Sequence, residues 1–217
     1  MLSNGGFPTP KATSGRHNEK LELLKAWVGT TLAFTLAEWS RKPLISLIEI
    51  FLIMAVAAGL GIVLHELAHR AVARHFGSEA YFLANDAMLV VSVLVALSGF
   101  LFAAPGAVWH SGYLNKRQVG LIAAAGPATN MVLAVLFLIL LPVFSAVHVQ
   151  MLFFMAYYGY VINALLGLFN MIPYGPIDGA KIMEWDMRVF VAMASVGGLL
   201  FILNFMPFAR PLFVFGF

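Results

Sequence analysis

Between Pro43 and Leu64 the chain carries a single charge, Glu49, and this run ends in His65-Glu66-Leu67-Ala68-His69. As an α-helix, Leu44 to His65 rises about 32 Å, close to the ~30 Å hydrocarbon core of a bilayer. In lipid every backbone N–H and C=O must be paired internally, which a helix achieves. The stretch from Leu44 to Phe76 is therefore predicted to be one membrane helix with three ionisable residues near its far end. Each such residue costs on the order of 2.5–3.5 kcal/mol at helix-centre depth. A purely structural helix gains nothing that offsets three of them.

The pattern H-E-x-x-H gives the group a purpose. Residues four apart share one helix face. His65 and His69 can thus turn two imidazole nitrogens to one Zn²⁺, with Glu66 beside them as a general base. A zinc ion with three protein ligands keeps a position open for water and lowers its pKa to about 7. This is hydrolase chemistry, located at or inside a bilayer.

Composition supports the membrane setting. Of 217 residues, 61% are hydrophobic and 11% charged, against roughly 25% charged in an average soluble domain. The expected fold is an all-α polytopic membrane protein. It should have about five to six transmembrane helices and a small membrane-embedded β-hairpin or re-entrant element. Residues 1–20 read as a disordered tail. Residues 21–217 read as a single integral-membrane domain with its core at about 44–179. No cysteine is present, which excludes disulfide and thiolate-metal frameworks. The net charge of +3 is not a nucleic-acid signal, since no basic cluster exceeds two adjacent residues.

In order, Leu21 to Trp39 is predicted as a first helix with a short uncharged centre. It crosses with snorkelling ends or lies partly in the interface. Arg41-Lys42-Pro43 ends it. After the second helix, Met88 to Ala104 is apolar, and Phe102 to Trp109 reads as strand, turn, strand around Pro105-Gly106. Further apolar runs are Val119 to Leu141, Gln150 to Ile172 and Val189 to Met206. Each ends at a proline, and Gly126-Pro127 predicts a break early in the first of them.

Basic residues favour the cytoplasmic side. Arg70 and Arg74 put the end of the second helix inside, and Lys116-Arg117 start the Val119 helix inside. An even number of crossings must lie between, so Met88 to Ala104 is predicted to re-enter. Lys11, Arg16, Lys20, Lys25, Lys181 and Arg188 then also lie inside, with Arg41, Lys42 and Arg210 outside.

A third metal ligand is required. The candidates are His75, His110, His148, Asp86, Asp178, Glu184 and Asp186. The Gln150 run returns to the side of His65 and His69 near Asn170. Prolines 173 and 176 and glycines 175 and 179 then force an irregular backbone, which at membrane depth must line a site. Asp178 is the selection. Asn130 and Asn163, polar within apolar helices, need partners; Asn130 holds a loop, faces the site or bonds between helices, and Asn163 reads as a helix-helix bond.

Three motifs stand in order: His65-Glu66-x-x-His69, Gly126-Pro127-x-x-Asn130, and Asn170-x-x-Pro173-x-x-Pro176-x-Asp178-Gly179. Together they resemble the site-2 protease family of intramembrane zinc metalloproteases, over about Leu44 to Gly179. The resemblance implies one Zn²⁺ held by His65, His69 and Asp178, with Glu66 as general base. It implies that Asn170 holds substrate or stabilises the oxyanion. It also implies regulated proteolysis of transmembrane protein substrates at the cell membrane, from an active site on the cytoplasmic side. The strands near Phe102 to Trp109 resemble the family's membrane-embedded strand region, which guides extended substrates by strand addition. Two other readings compete. A membrane zinc protease of the prenyl-protein processing type needs a glutamate ligand, for which Glu184 is the candidate. A metal transporter needs ligands spread along several helices.

Overall fold

The computed structural model describes residues 18–39, 46–100 and 105–206. Residues 1–17 of the expected tail, the Arg41-Lys42-Pro43 break and residues 102–104 of the expected hairpin lie outside that range. The fold is mostly helical. Among the described residues three helices are long and apolar enough to cross a membrane: Leu47–His75, Lys116–Ala146 and Gln150–Phe169.

Helix α1 (Glu19–Trp39) starts two residues before its expected first position, with Glu19 and Glu22 in its first turn. Its buried stripe of Ala26, Thr30, Ala33 and Ala37 is made of small residues. Small residues let helices approach closely where hydrophobic burial supplies no drive.

Leu47–His75 is one continuous helix with a change of pitch. Helix α2 (Leu47–Met54) passes through a π-helical turn (Ala55–Gly59) into α3 (Leu60–His75). Sequence periodicity predicts a regular helix here. A π turn loosens the backbone hydrogen-bond ladder, and side chains of other helices fill in. The Trp27 indole N–H donates to the Ala55 carbonyl at 3.0 Å. The Asn163 amide donates to the Ala57 carbonyl at 2.9 Å. Both donors are distant in sequence, so the turn is a tertiary feature that local pattern does not encode.

The small sheet differs from the predicted hairpin. The predicted first arm, Phe102 to Ala104, lies outside the described residues, and the second falls within strand β2 (Gly106–Ser111). It pairs antiparallel with β1 (Glu79–Ala84), in register Glu79 to Ser111 and Ala84 to Gly106. Helix α4 (Asp86–Ala96) lies between the two strands. The Asn85 N–H donates to the Pro105 carbonyl at 2.9 Å, so the segment that leaves at Asn85 returns beside it. The two ends of the segment between the strands therefore lie side by side. At about 1.5 Å per residue, the 11 residues of α4 rise roughly 16 Å, half a hydrocarbon core.

Helix α5 (Lys116–Ala146) opens with a capping box between Asn115 and Gln118. It runs unbroken through Pro127 and Pro142, against the predicted break and stop. Buried Pro127 is held by neighbouring helices, which offsets the lost N–H of its ring. On its outer side Val132, Leu136, Ile139 and Val143 are exposed at helical spacing. An apolar stripe of that length on the surface suits lipid rather than water.

Helix α6 (Gln150–Phe169) ends at Asn170, and two short helices follow, α7 (Asp178–Trp185) and α8 (Met187–Leu203). Helix α7 was not foreseen; its Ile182 is buried in the core with Met131, Tyr160 and Leu200. The Tyr160 hydroxyl donates to the Leu200 carbonyl at 2.5 Å, tying α6 to α8.

Candidate metal centre

The helical rise of α3 stacks His65 and His69 one turn apart. Both are buried, and their Nε2 atoms approach to 2.9 Å. Each ring is oriented by a partner on its other nitrogen. His69 Nδ1 lies 2.7 Å from the Ile122 carbonyl oxygen on α5, which can only accept. His65 Nδ1 lies 2.6 Å from the Asn130 carboxamide oxygen. The amide orientation follows from its surroundings. Asn130 Nδ2 faces the Gly61 carbonyl at 3.2 Å and the Asn163 side-chain oxygen at 2.9 Å. Asn163 in turn turns its Nδ2 to the carbonyls of Ala57 and Gly159. Backbone acceptors therefore fix both amides, and both histidines carry their proton on Nδ1.

The Nε2 lone pairs of both rings then point at one place. Asp178, the first residue of α7, brings its Oδ2 to 3.4 Å from His65 Nε2 and 3.1 Å from His69 Nε2. Its backbone is fixed by the Gly179 N–H, which donates to the Asn170 carbonyl at 2.7 Å. That approach requires glycine, because a Cβ at Gly179 would collide with the backbone of Met171 and Ile172.

Two lone pairs and a carboxylate oxygen facing one another repel unless a cation lies between them. The three edges, 2.9, 3.1 and 3.4 Å, are near the ~3.3 Å edge of a tetrahedron drawn with ordinary Zn–N and Zn–O bond lengths. Gly126 of α5 faces the same place. A Cβ there would press on Nε2 of both His65 and His69, so only a residue without a side chain leaves the space free. Among the described residues, His65, His69 and Asp178 are the group able to hold one metal ion.

The other candidates lie elsewhere. His75 is exposed beside Phe76 at the end of α3. His148 sits in the turn after α5 with a positive φ of 53°. Asp86 pairs with Lys25 at 3.2 Å. Glu184 is exposed on α7, and Asp186 caps α8 by accepting the Arg188 N–H. His110 falls on β2 opposite Ala80. Glu66 follows His65 on α3, half-buried and outside the three converging ligand atoms. Asn170 ends α6 with its amide donating to the Leu166 carbonyl at 2.9 Å.

Of the three roles open to Asn130, the structure realises two: its oxygen serves His65 and its nitrogen bridges helices. Gly126 and Lys181 were not singled out for the site. Gly126 signals itself only through the glycine-proline pair. Lys181, three residues after Asp178, has its Nζ 3.4 Å from Asp178 Oδ1.

The chain matches no protein-family model and no solved structure. It does match proteins that carry the name "Putative zinc metalloprotease". One from Methanocaldococcus jannaschii is 36% identical over 160 residues, covering 72% of this chain and 83% of the relative. One from Bacillus subtilis is 30% identical over 141 residues, 56% of this chain and 63% of the relative. One from Mycobacterium tuberculosis is 32% identical over 137 residues, 61% of this chain and 31% of the relative. With 83% of the Methanocaldococcus jannaschii protein matched, and a buried two-histidine, one-aspartate centre in place, the chain belongs to this family of zinc metalloproteases.

Proposed function

We propose that the chain is an intramembrane zinc endopeptidase of the site-2 protease type, cutting peptide bonds within or near transmembrane segments of other proteins. One observation carries the reading: His65 and His69, within a 29-residue apolar helix, converge with Asp178 on one point. A soluble protease has no need to place its centre there.

His65 and His69 would hold the zinc through Nε2 and Asp178 through Oδ2. When bound, the ion supplies a Lewis acid that polarises the scissile carbonyl and makes water nucleophilic near neutral pH. Glu66 takes the proton of the attacking water and hands it to the departing amine. Asn130 and the Ile122 carbonyl keep both imidazoles in the ligating tautomer. Asn170 anchors the loop that carries Asp178, and its amide, next to that loop, holds substrate or meets the developing oxyanion.

A helical substrate hides its peptide bonds within its own hydrogen bonds, so it must unwind before attack. Cleavable segments should carry Gly, Pro, Asn or Ser near the cut. The β1–β2 sheet lies against α3, where an unwound segment can be gripped as an added strand. Basic residues beside the site, Arg70, Arg74 and Lys181, support a cytoplasmic-facing centre in a multi-pass cell-membrane protein.

The test is incubation of the purified protein in detergent with a panel of transmembrane peptides, with and without a chelator, followed by mass spectrometry. Cleavage inside or beside the apolar segment, abolished by the chelator and restored by zinc, is the expected result. Cleavage confined to soluble peptides overturns the intramembrane reading. Zinc uptake into vesicles with no cleavage at all would revive a transporter.

A further inference from the structure

Asp178 has two carboxylate oxygens, and they face different partners. Oδ2 points to the histidine pair, at 3.4 and 3.1 Å. Oδ1 accepts from Lys181 Nζ at 3.4 Å. Lys181 lies one helical turn further along α7, so the two residues share a face by the geometry of the helix itself. The side chain of Asp178 is nearly buried, while that of Lys181 is 44% exposed.

The backbone of Asp178 has little freedom, because the bond from Gly179 N–H to the Asn170 carbonyl fixes it. What remains is rotation of the carboxylate about its own bond. A carboxylate with nothing on its second oxygen can swing both atoms onto a metal. A hydrolytic zinc centre depends on an open position, since the fourth place belongs to water or substrate. A two-oxygen aspartate would fill it. The ammonium group on Oδ1 opposes that swing by attraction and by occupying the lone pairs on that side.

We infer that Lys181 is a positioning residue that keeps Asp178 a one-oxygen ligand and so keeps the fourth metal position open. This rests on the reading of Asp178 as the third zinc ligand. It assigns Lys181 no contact with the reacting atoms.

The experiment compares Lys181→Met and Lys181→Arg with the parent protein. Zinc content, cleavage kinetics on a transmembrane peptide, and the visible spectrum of the cobalt(II)-substituted protein are measured. For Lys181→Met the expected result is one zinc per chain, kcat at least tenfold lower and KM within twofold. The cobalt absorption should weaken towards that of a five-coordinate ion. Lys181→Arg, which keeps the charge, should restore both kcat and the spectrum. The inference is overturned if Lys181→Met keeps the parent's kcat and spectrum. It is also overturned if zinc content falls in step with activity, which would make Lys181 a support for metal retention instead. A folded Asp178→Ala variant that keeps full zinc defeats the underlying ligand assignment, and that result is separate from either outcome at Lys181.

Discussion

The carboxamide oxygen of Asn130 stands 2.6 Å from Nδ1 of His65, across 65 positions of sequence. This contact decides which nitrogen of His65 carries its proton, and hence which one is free to ligate. Asn130 is fully buried, and its amide nitrogen is also used, on Gly61 and Asn163. Replacing it with alanine should therefore have two effects. Zinc affinity should fall about 10- to 100-fold, as for other partners of metal-bound histidines. Stability should fall by about 1–3 kcal/mol for the buried acceptors left unpaired. Competition with a fluorescent chelator reads the first, and thermal unfolding of the metal-free protein reads the second. Equal affinity in parent and variant would remove Asn130 from the ligand sphere.

The ligands and the base should separate cleanly. His65→Ala, His69→Ala and Asp178→Ala should each lose stoichiometric zinc together with activity. Glu66→Gln should keep one zinc per chain and lose cleavage by about 10²–10⁴-fold, the range for a positioned general base. Metal analysis beside a cleavage assay distinguishes the two classes. A Glu66→Gln variant as active as the parent would mean that another group moves the proton.

Gly126 offers a test that touches no ligand. Its missing side chain is what leaves room between the two Nε2 atoms and α5. Gly126→Ala sets a methyl group against both histidines while favouring helix by about 0.8–1.0 kcal/mol. The variant should thus retain helical content by circular dichroism and fail to bind zinc. Normal zinc content would show that α5 lies further from the histidines than described.

The contact between α1 and the sheet should depend on pH. Glu19 pairs with Arg70 at 2.8 Å and Arg74 at 3.4 Å, and accepts the Phe82 N–H at 3.2 Å. Burial opposes its charge, but the Arg70 guanidinium and the Phe82 amide outweigh that and hold its carboxyl below the ordinary 4.5. A lowered pKa in the folded state means that this stabilisation is complete above the unfolded value. It is lost as pH falls through the folded value. Hydrogen exchange in β1 should therefore rise as pH drops below 4.5, once corrected for the intrinsic rate. Glu19→Gln should show a raised level with no such step. Solvent access limits the effect to about 1 kcal/mol or less.

The parts of the fold visible in the sequence are those governed by local pattern. Apolar runs located the helices ending at His75, Ala146 and Phe169, because lipid imposes length and composition on each segment independently. The parity of crossings between Arg74 and Lys116 asks for a segment whose ends share one side, and Asn85 and Pro105 are hydrogen-bonded neighbours. The identity of β1 was missed. Glu79-Ala80-Tyr81-Phe82-Leu83-Ala84 is short, and its partner lies beyond an intervening helix. No local rule pairs it across that distance. At the site, the H-E-x-x-H spacing and the proline-glycine loop led to His65, His69 and Asp178, which do come together. Two contacts at the site carry no sequence signal of their own. Ile122 contributes only a backbone carbonyl, and Lys181 is an exposed lysine.

The π-helical turn at Ala55–Gly59 has a consequence for how this chain tolerates change in length. A π turn amounts to one residue more than a regular helix needs at that point. It lies between the Ile50, Ile53 and Met54 face, packed against Phe34 and Ile162, and the face that bears the histidines. Each residue advances a helix by about 100°. Deleting any one residue of the turn would leave a perfectly good membrane helix of nearly the same length. Its two halves would keep their relative direction, because the wide turn takes up its extra residue locally; the same deletion elsewhere in the helix would turn the histidines about a quarter-turn away from Asp178. In this helix a one-residue deletion inside the turn is absorbed and one outside it is a rotation, so the turn is where the chain can change length without moving its metal site.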